Sequence, residues 1–200
     1  VTPDELKKRE QVYSASQIHQ AVSRVAGEVS EWMRGSKLNQ LRLISVLEGA
    51  RHFTRDLVAA LREEAPGWCF MVYEVKVKGT FGTSLLEGRN LDLGGLDLQA
   101  FQGIPILIVD DLADSGKTLS LLKRELLEAG AQEVRTAVLI RKWGAQSVGL
   151  DFCGLDLNLD SKSLTQQGLK DRWLYGYGMD LDGRQRDLDW VGSIEIKSEG

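Results

Sequence analysis

Ile106-Leu-Ile-Val-Asp110-Asp111-Leu-Ala-Asp114-Ser115-Gly116-Lys117-Thr118-Leu119 runs from an apolar stretch into two adjacent carboxylates, a third carboxylate, and a small-residue turn. Ile106 to Val109 has the length and β-branching of a buried strand. Leu119, Leu122 and Leu126 recur at helical spacing, and Gly130 stands where a helix C-terminal glycine belongs. The connecting loop therefore lies at the carboxyl end of a strand and the amino end of a helix. Free N–H groups and the helix dipole favour a phosphate there. Ser115 and Thr118 add hydroxyl donors, and Gly116 lets the backbone approach a ligand closely.

The carboxylates restrict what else binds. Asp110 and Asp111 repel a phosphate, but they suit the vicinal hydroxyls of a ribose or a divalent cation. Phosphate donors and hydroxyl acceptors in one loop point to a ribose 5-phosphate unit. A P-loop competes, because Gly116-Lys117-Thr118 matches its end. It fails because its first glycine should stand where Asp111 is.

Outward from this stretch, strands alternate with helices. Ser14 or Ser16 caps a helix carrying Ile18, Val22, Val25 and Val29 on one side, and Gly35-Ser36 marks its exit. Leu41 to Leu47 reads as a strand with Glu48-Gly49 as its turn, and Phe53, Leu57 and Leu61 mark a second helix. Cys69 to Val77, Glu133 to Ile140 and Phe152 to Leu157 read as further strands. Residues 1–13 read as a charged mobile arm or a short helix, and the glycine-rich Lys78 to Gly103 as a lid or a hairpin. This alternation implies a mostly parallel sheet flanked by helices, with ligands outside the carboxyl ends of its strands.

Residues 1–200 are read as one domain with no internal repeat. Hydrophobic (42%) and charged (27%) fractions are those of a soluble globular chain. A net charge of −4 argues against a general nucleic-acid binder. No apolar run is long enough to span a bilayer, no signal peptide is recognised, and the cytoplasm is the expected compartment. Cys69 and Cys153 sit among apolar neighbours and are expected as buried free thiols.

The Asp110–Thr118 string resembles the phosphoribosyl-diphosphate signature of type I phosphoribosyltransferases. Trp173-Leu-Tyr-Gly176-Tyr177-Gly178-Met179-Asp180, followed by Arg186-Asp187-Leu188, resembles the 6-oxopurine (hypoxanthine-guanine) branch. The resemblance runs in order from about Leu43 to Ile196. It implies the type I phosphoribosyltransferase fold, with a small hood subdomain and a mobile loop. It also implies that Asp110 and Asp111 hold the ribose hydroxyls while Asp114, Ser115, Gly116, Lys117 and Thr118 cradle the 5-phosphate. Trp173 is the implied stacking partner of the purine, and Lys142, preferred over Arg141, the donor to its 6-oxo group. Arg186, with Arg184 as neighbouring substitute, and the Glu48-Gly49 turn are implied to bind pyrophosphate. That turn often holds a cis non-proline peptide in this family. Asp180 is implied to hold Mg2+, and Asp114 to act as general acid or base at purine N7.

This chain departs from the family pattern at Glu48, where many members have lysine, and at Phe81, which follows Thr80 in the loop and lacks the usual hydroxyl. Arg51 is expected to offset Glu48. Asn158 to Lys170 reads as an insertion that covers the pocket, joins an interface or does neither. The implied reaction is purine salvage: transfer of 5-phosphoribosyl from phosphoribosyl diphosphate to N9 of a 6-oxopurine, by a dimer or tetramer. Alternatives are a xanthine-preferring enzyme and a catalytically weak sensor that binds RNA or protein.

Overall fold

A computed structural model describes residues 9–35, 39–76, 96–142, 149–157, 169–181 and 183–197. In chain order these form β1 (Glu10–Tyr13), α1 (Ala15–Arg34), β2 (Gln40–Val46), α2 (Arg51–Glu64) and β3 (Cys69–Val75). A short 3-10 helix (Leu98–Phe101) precedes β4 (Pro105–Ala113), α3 (Lys117–Glu128), β5 (Glu133–Lys142) and β6 (Phe152–Leu157). The antiparallel strands β7 (Leu169–Tyr175) and β8 (Val191–Lys197) close the chain.

The quoted stretch lies at the centre. Strand β4 is the middle of a parallel five-stranded sheet ordered β3-β2-β4-β5-β6. Side chains alternate across a strand. Leu107 and Val109 accordingly pack with α1 and α2 on one face, in a core with Val25, Val29, Phe53 and Leu57. Ile106 and Ile108 pack on the other face with Leu119, Leu122 and Leu126 of α3. A sheet covered on both sides needs a continuous apolar run in its middle strand, and Ile106 to Val109 supplies one.

Local signals set the helix ends. Ser14, rather than Ser16, caps α1 in a reciprocal capping box with Gln17. Gly116 takes the left-handed conformation at the start of α3 (φ 68°). Gly130 takes it just past the end (φ 92°), where its N–H reaches the Leu127 carbonyl and the Ala131 N–H that of Leu126.

Several expectations need correction. Strand β4 continues four residues past Val109, so Asp110 and Asp111 belong to the strand and not to the loop. Glu10–Tyr13 is neither mobile arm nor helix: it pairs with β8 in a three-stranded sheet ordered β1-β8-β7. Strands β7 and β8 were not anticipated. Both cysteines are free, but Cys69 is exposed on the edge strand β3 and Cys153 is half-buried. Residues 1–8, Trp143, the 77–95 stretch of the glycine-rich segment with Thr80 and Phe81, and 158–168 of the expected insertion lie outside the described residues. Leu169 and Lys170, also assigned to that insertion, begin β7. Among the described residues, no helix is long and apolar enough to cross a membrane.

Candidate active site

Asp110, Asp111, Asp114, Ser115, Gly116 and Thr118 line one cavity of about 300 Å3 with Val46, Leu47 and Gly49. The carboxyl edge of the parallel sheet builds it: β2 ends in the Leu47–Gly49 turn, and β4 runs into α3. Carboxylates thus stand on one wall, and the first backbone groups of α3 on the other. Lys117 and Glu48 belong to the same loops but do not line the cavity.

The acid pair is set into the strand end. Asp110 is buried (8% exposed), and its Oδ1 accepts the Asp111 N–H at 3.0 Å. Burial pushes the Asp110 carboxyl well above the usual carboxylate range, and the Asp111 charge pushes the same way. Burial also raises Asp111, while hydrogen bonds and the positive charge of Arg186 partly offset the rise. Gly49 fits against Asp111 because it lacks a side chain; a Cβ there would run into the carboxylate. Asp114 is different. Its side chain is 70% exposed.

Lys142 and Arg141 separate as a continuing strand requires. Arg141 pairs with Asp156 at 2.6 Å, on the outer side. The Lys142 side chain is buried and points to Asp114, with Nζ 3.9 Å from Oδ1.

Behind the cavity, the Gly176–Asp180 turn joins the second sheet to the first. Gly176 and Gly178 take positive φ (90° and 96°), and Tyr177 also lies in the left-handed region (φ 48°). Only glycine fits at 178, since a Cβ would meet the backbone carbonyl of Gly49. The Tyr177 hydroxyl donates to Asp56 Oδ2 on α2 at 2.6 Å. Arg186 Nη1 donates to the Gly178 carbonyl at 2.5 Å, and its Nε lies 3.6 Å from Asp180 Oδ1. Arg184 is exposed and is held by backbone bonds to Leu181. Of the two arginines, Arg186 is therefore the one that faces the cluster. Trp173 is half exposed (52%), and its Nε1 donates to the Asp180 carbonyl at 2.8 Å.

The Leu47–Glu48 peptide is cis. Arg51 does not offset Glu48 through a direct pair: its guanidinium is taken by Glu74 at 3.1 Å. Lys76 pairs with Glu48 instead, also at 3.1 Å. Its hydrogen bond and charge, followed by the charge of Arg186, hold the Glu48 carboxyl below its usual range. Lys76 was not singled out from the sequence, although its position, a cation closing an apolar strand, repeats that of Lys142 on β5. Asp56 was missed as well, for it stands 121 positions from its partner Tyr177.

A parallel sheet with an acid pair beside an anion-ready helix start defines a class, the ribose-phosphate-binding α/β proteins. Comparison with known proteins narrows it. A family model described as phosphoribosyl transferase domain matches residues 9–148. The hypoxanthine-guanine phosphoribosyltransferase of Mycobacterium avium is 30% identical over 188 residues, covering 91% of this chain and 83% of the relative. That of Dictyostelium discoideum is 26% identical, covering 96% and 97%. Among solved structures, a hypoxanthine phosphoribosyltransferase mutant of Trypanosoma cruzi in a ternary substrate complex superposes with TM-score 0.75 at 23% identity, covering 97% of each chain. The hypoxanthine-guanine phosphoribosyltransferase of Bacillus anthracis gives 0.68 at 20%, covering 92% of this chain and 97% of that one. The chain belongs to the phosphoribosyltransferase family, in its hypoxanthine-guanine branch.

Proposed function

We propose that this protein salvages purines by moving 5-phosphoribosyl from phosphoribosyl diphosphate to N9 of hypoxanthine or guanine. The observation that carries this reading is the shared cavity, in which the acid pair and the start of α3 face one space. The carboxylates of Asp110 and Asp111 accept from the ribose hydroxyls. Ser115, Gly116, Lys117 and Thr118 donate to the 5-phosphate through backbone and hydroxyl groups.

Lys142 donates to the purine 6-oxo group, which favours a carbonyl over the amino group of adenine. Trp173 offers an exposed indole face on which the base stacks. N9 attacks C1 of the ribose, and the bond from C1 to the pyrophosphate oxygen breaks with its electron pair on the leaving group. The proton on N7 passes to the Asp114 carboxylate. Lys142, 3.9 Å from that carboxylate, keeps it oriented toward the base. Arg186 and the backbone of Gly49 hold the pyrophosphate. Catalysis rests on alignment and on neutralising the departing charge.

A magnesium ion fits this donor set. Asp180 Oδ1 is buried without a hydrogen-bond partner, a hard oxygen of the type Mg2+ prefers. Asp180 would hold the ion, which when bound neutralises charge on the pyrophosphate. Assembly into a dimer or tetramer belongs to the same reading.

The test is pyrophosphate release with magnesium and phosphoribosyl diphosphate, offered hypoxanthine, guanine, xanthine, adenine and uracil in parallel. Turnover limited to hypoxanthine and guanine is expected. Preference for xanthine would move the substrate assignment. Release with none of the bases, in protein that still binds phosphoribosyl diphosphate, would leave a sensor. With turnover established, folded Asp114→Asn should lose about 100-fold or more in kcat; normal turnover would remove its acid–base role.

A further inference from the structure

Glu48 places a carboxylate in a turn whose two neighbours, Leu47 and Gly49, line the cavity. A carboxylate there opposes an anionic ligand, so the cation beside it has to account for its tolerance. Lys76 is that cation. The Leu47 N–H donates to the Val75 carbonyl at 2.7 Å, continuing the β2–β3 ladder past its last registered pair, Val46 with Val75. Lys76 is thus level with Leu47, and its Nζ lies 3.1 Å from Glu48 Oε1. The strand end sets the Lys76 backbone beside Leu47, and the ion pair holds its ammonium next to the turn.

The pair is also easy to open. Its side chains are 64% and 45% exposed, and pairs of this kind contribute little to folding. An ammonium anchored at the backbone and weakly held at its tip is suited to exchange one anion for another. Arg51, also near Glu48, is occupied, because it is paired to Glu74 through two hydrogen bonds.

We propose that Lys76 binds the pyrophosphate half of phosphoribosyl diphosphate, and that Glu48 holds its ammonium at the cavity rim until the ligand displaces the carboxylate. This rests on the salvage reading for the identity of the ligand, though the contact itself requires only a diphosphate. Lys76 is here a substrate-binding residue, and Glu48 a positioning residue that acts through it.

The experiment compares wild type, Lys76→Met, Lys76→Arg, Glu48→Gln and the Glu48→Gln/Lys76→Met double variant, all as the full chain. It reads the Kd for pyrophosphate in the presence of magnesium by calorimetry, and KM and kcat for phosphoribosyl diphosphate. Lys76→Met should weaken both Kd and KM about tenfold, the yield of one exposed charge-assisted contact. Its kcat should stay within about twofold, and Lys76→Arg should recover most of the loss. The decisive arm is the double variant. If Lys76 touches the ligand, its loss costs about tenfold even when residue 48 is neutral. If Lys76→Met has no effect in the Glu48→Gln background, Lys76 only screens the carboxylate and the proposal fails. It fails equally if pyrophosphate binding is unchanged in both backgrounds. A wild-type protein that binds pyrophosphate in a Lys76-dependent way, yet turns over no 6-oxopurine, would overturn the salvage reading and uphold this contact.

Discussion

The buried acid pair should cost the fold stability that the wild-type chain gives up for its ligand. Asp110 is 8% exposed, forms no ion pair among the described residues, and has the Asp111 carboxylate as its immediate neighbour. Its folded pKa is raised well above the ordinary 3.8. A carboxylate with a raised folded pKa binds its proton more tightly folded than unfolded. Its contribution is therefore fully favourable below the unfolded pKa, and is lost as pH rises from there through the folded value. Within that window a single group changes stability by up to about 1.4 kcal/mol per pH unit.

Asp110→Asn removes the titration but keeps the Oδ1 that accepts the Asp111 N–H. It also removes one of the causes acting within the pair. The expected result is a gain of about 1–2 kcal/mol at pH 7, shrinking toward zero as the pH falls to 4. Urea unfolding of variant and wild type at half-unit steps from pH 4 to 8 measures the difference. Taking the difference cancels groups of opposite sign, such as Glu48 and Asp56, which are held below their usual range. A variant less stable than wild type at pH 7, or a gain that does not depend on pH, would refute the reasoning. The same variant should bind phosphoribosyl diphosphate at least tenfold more weakly, since an amide replaces a carboxylate opposite the ribose hydroxyls.

Two glycines that touch the same place should fail in opposite ways. Gly178→Ala faces a left-handed backbone and the fixed carbonyl of Gly49, and should lose about 3 kcal/mol in urea unfolding. The atoms nearest to a Gly49→Ala methyl are those of the Asp111 side chain, which can swing away. This variant should stay within about 1 kcal/mol of wild type while losing at least tenfold in affinity for phosphoribosyl diphosphate, measured by calorimetry. Tyr177→Phe removes a 2.6 Å hydrogen bond to Asp56 and should cost about 1–2 kcal/mol, read by the same unfolding assay.

What could be read in the sequence was local. The apolar run and glycines of the Ile106–Gly130 stretch specify strand, turn and helix from neighbouring residues alone, and the structure has them in that order. The alternation that sends Lys142 inward and Arg141 outward is also a local property of a strand. The misses are long-range. Residues 10–13 look like a charged arm because their partner, β8, lies some 180 positions away, with Glu10 against Ser193. Strand β7 mixes Lys170, Asp171 and Arg172 with apolar residues, so no period of two stands out. Cys69 heads a run that reads as a buried strand, but β3 is the sheet edge, and Met71 and Val72 are exposed with it. Apolar composition does not distinguish an edge from a centre. Asp114 illustrates a further limit: a motif fixes where a residue stands on the chain, not how much solvent it keeps.

The geometry divides the site between two kinds of constraint. The side proposed to hold ribose and 5-phosphate is continuous along the chain, since β4 runs through Asp110 and Asp111 directly into α3. Nothing remote is needed to align it. The Asp180–Arg186 side belongs to the other sheet and reaches the cavity through two contacts, Gly178 packed on Gly49 and Tyr177 on Asp56, while Arg186 braces its own segment through the Gly178 carbonyl. Both converge on the Leu47–Gly49 turn or on α2, which begins at Arg51 just beyond it. The turn that carries Glu48 is therefore where the two halves of the site are brought into register. A substitution in that turn has two separable consequences, one electrostatic at the cavity rim and one geometric through Gly178. The exposed Glu48–Lys76 pair makes the first inexpensive to the fold, while the close packing of Gly178 on the Gly49 carbonyl makes the second costly. Charge can thus vary at position 48 far more freely than volume can at 178.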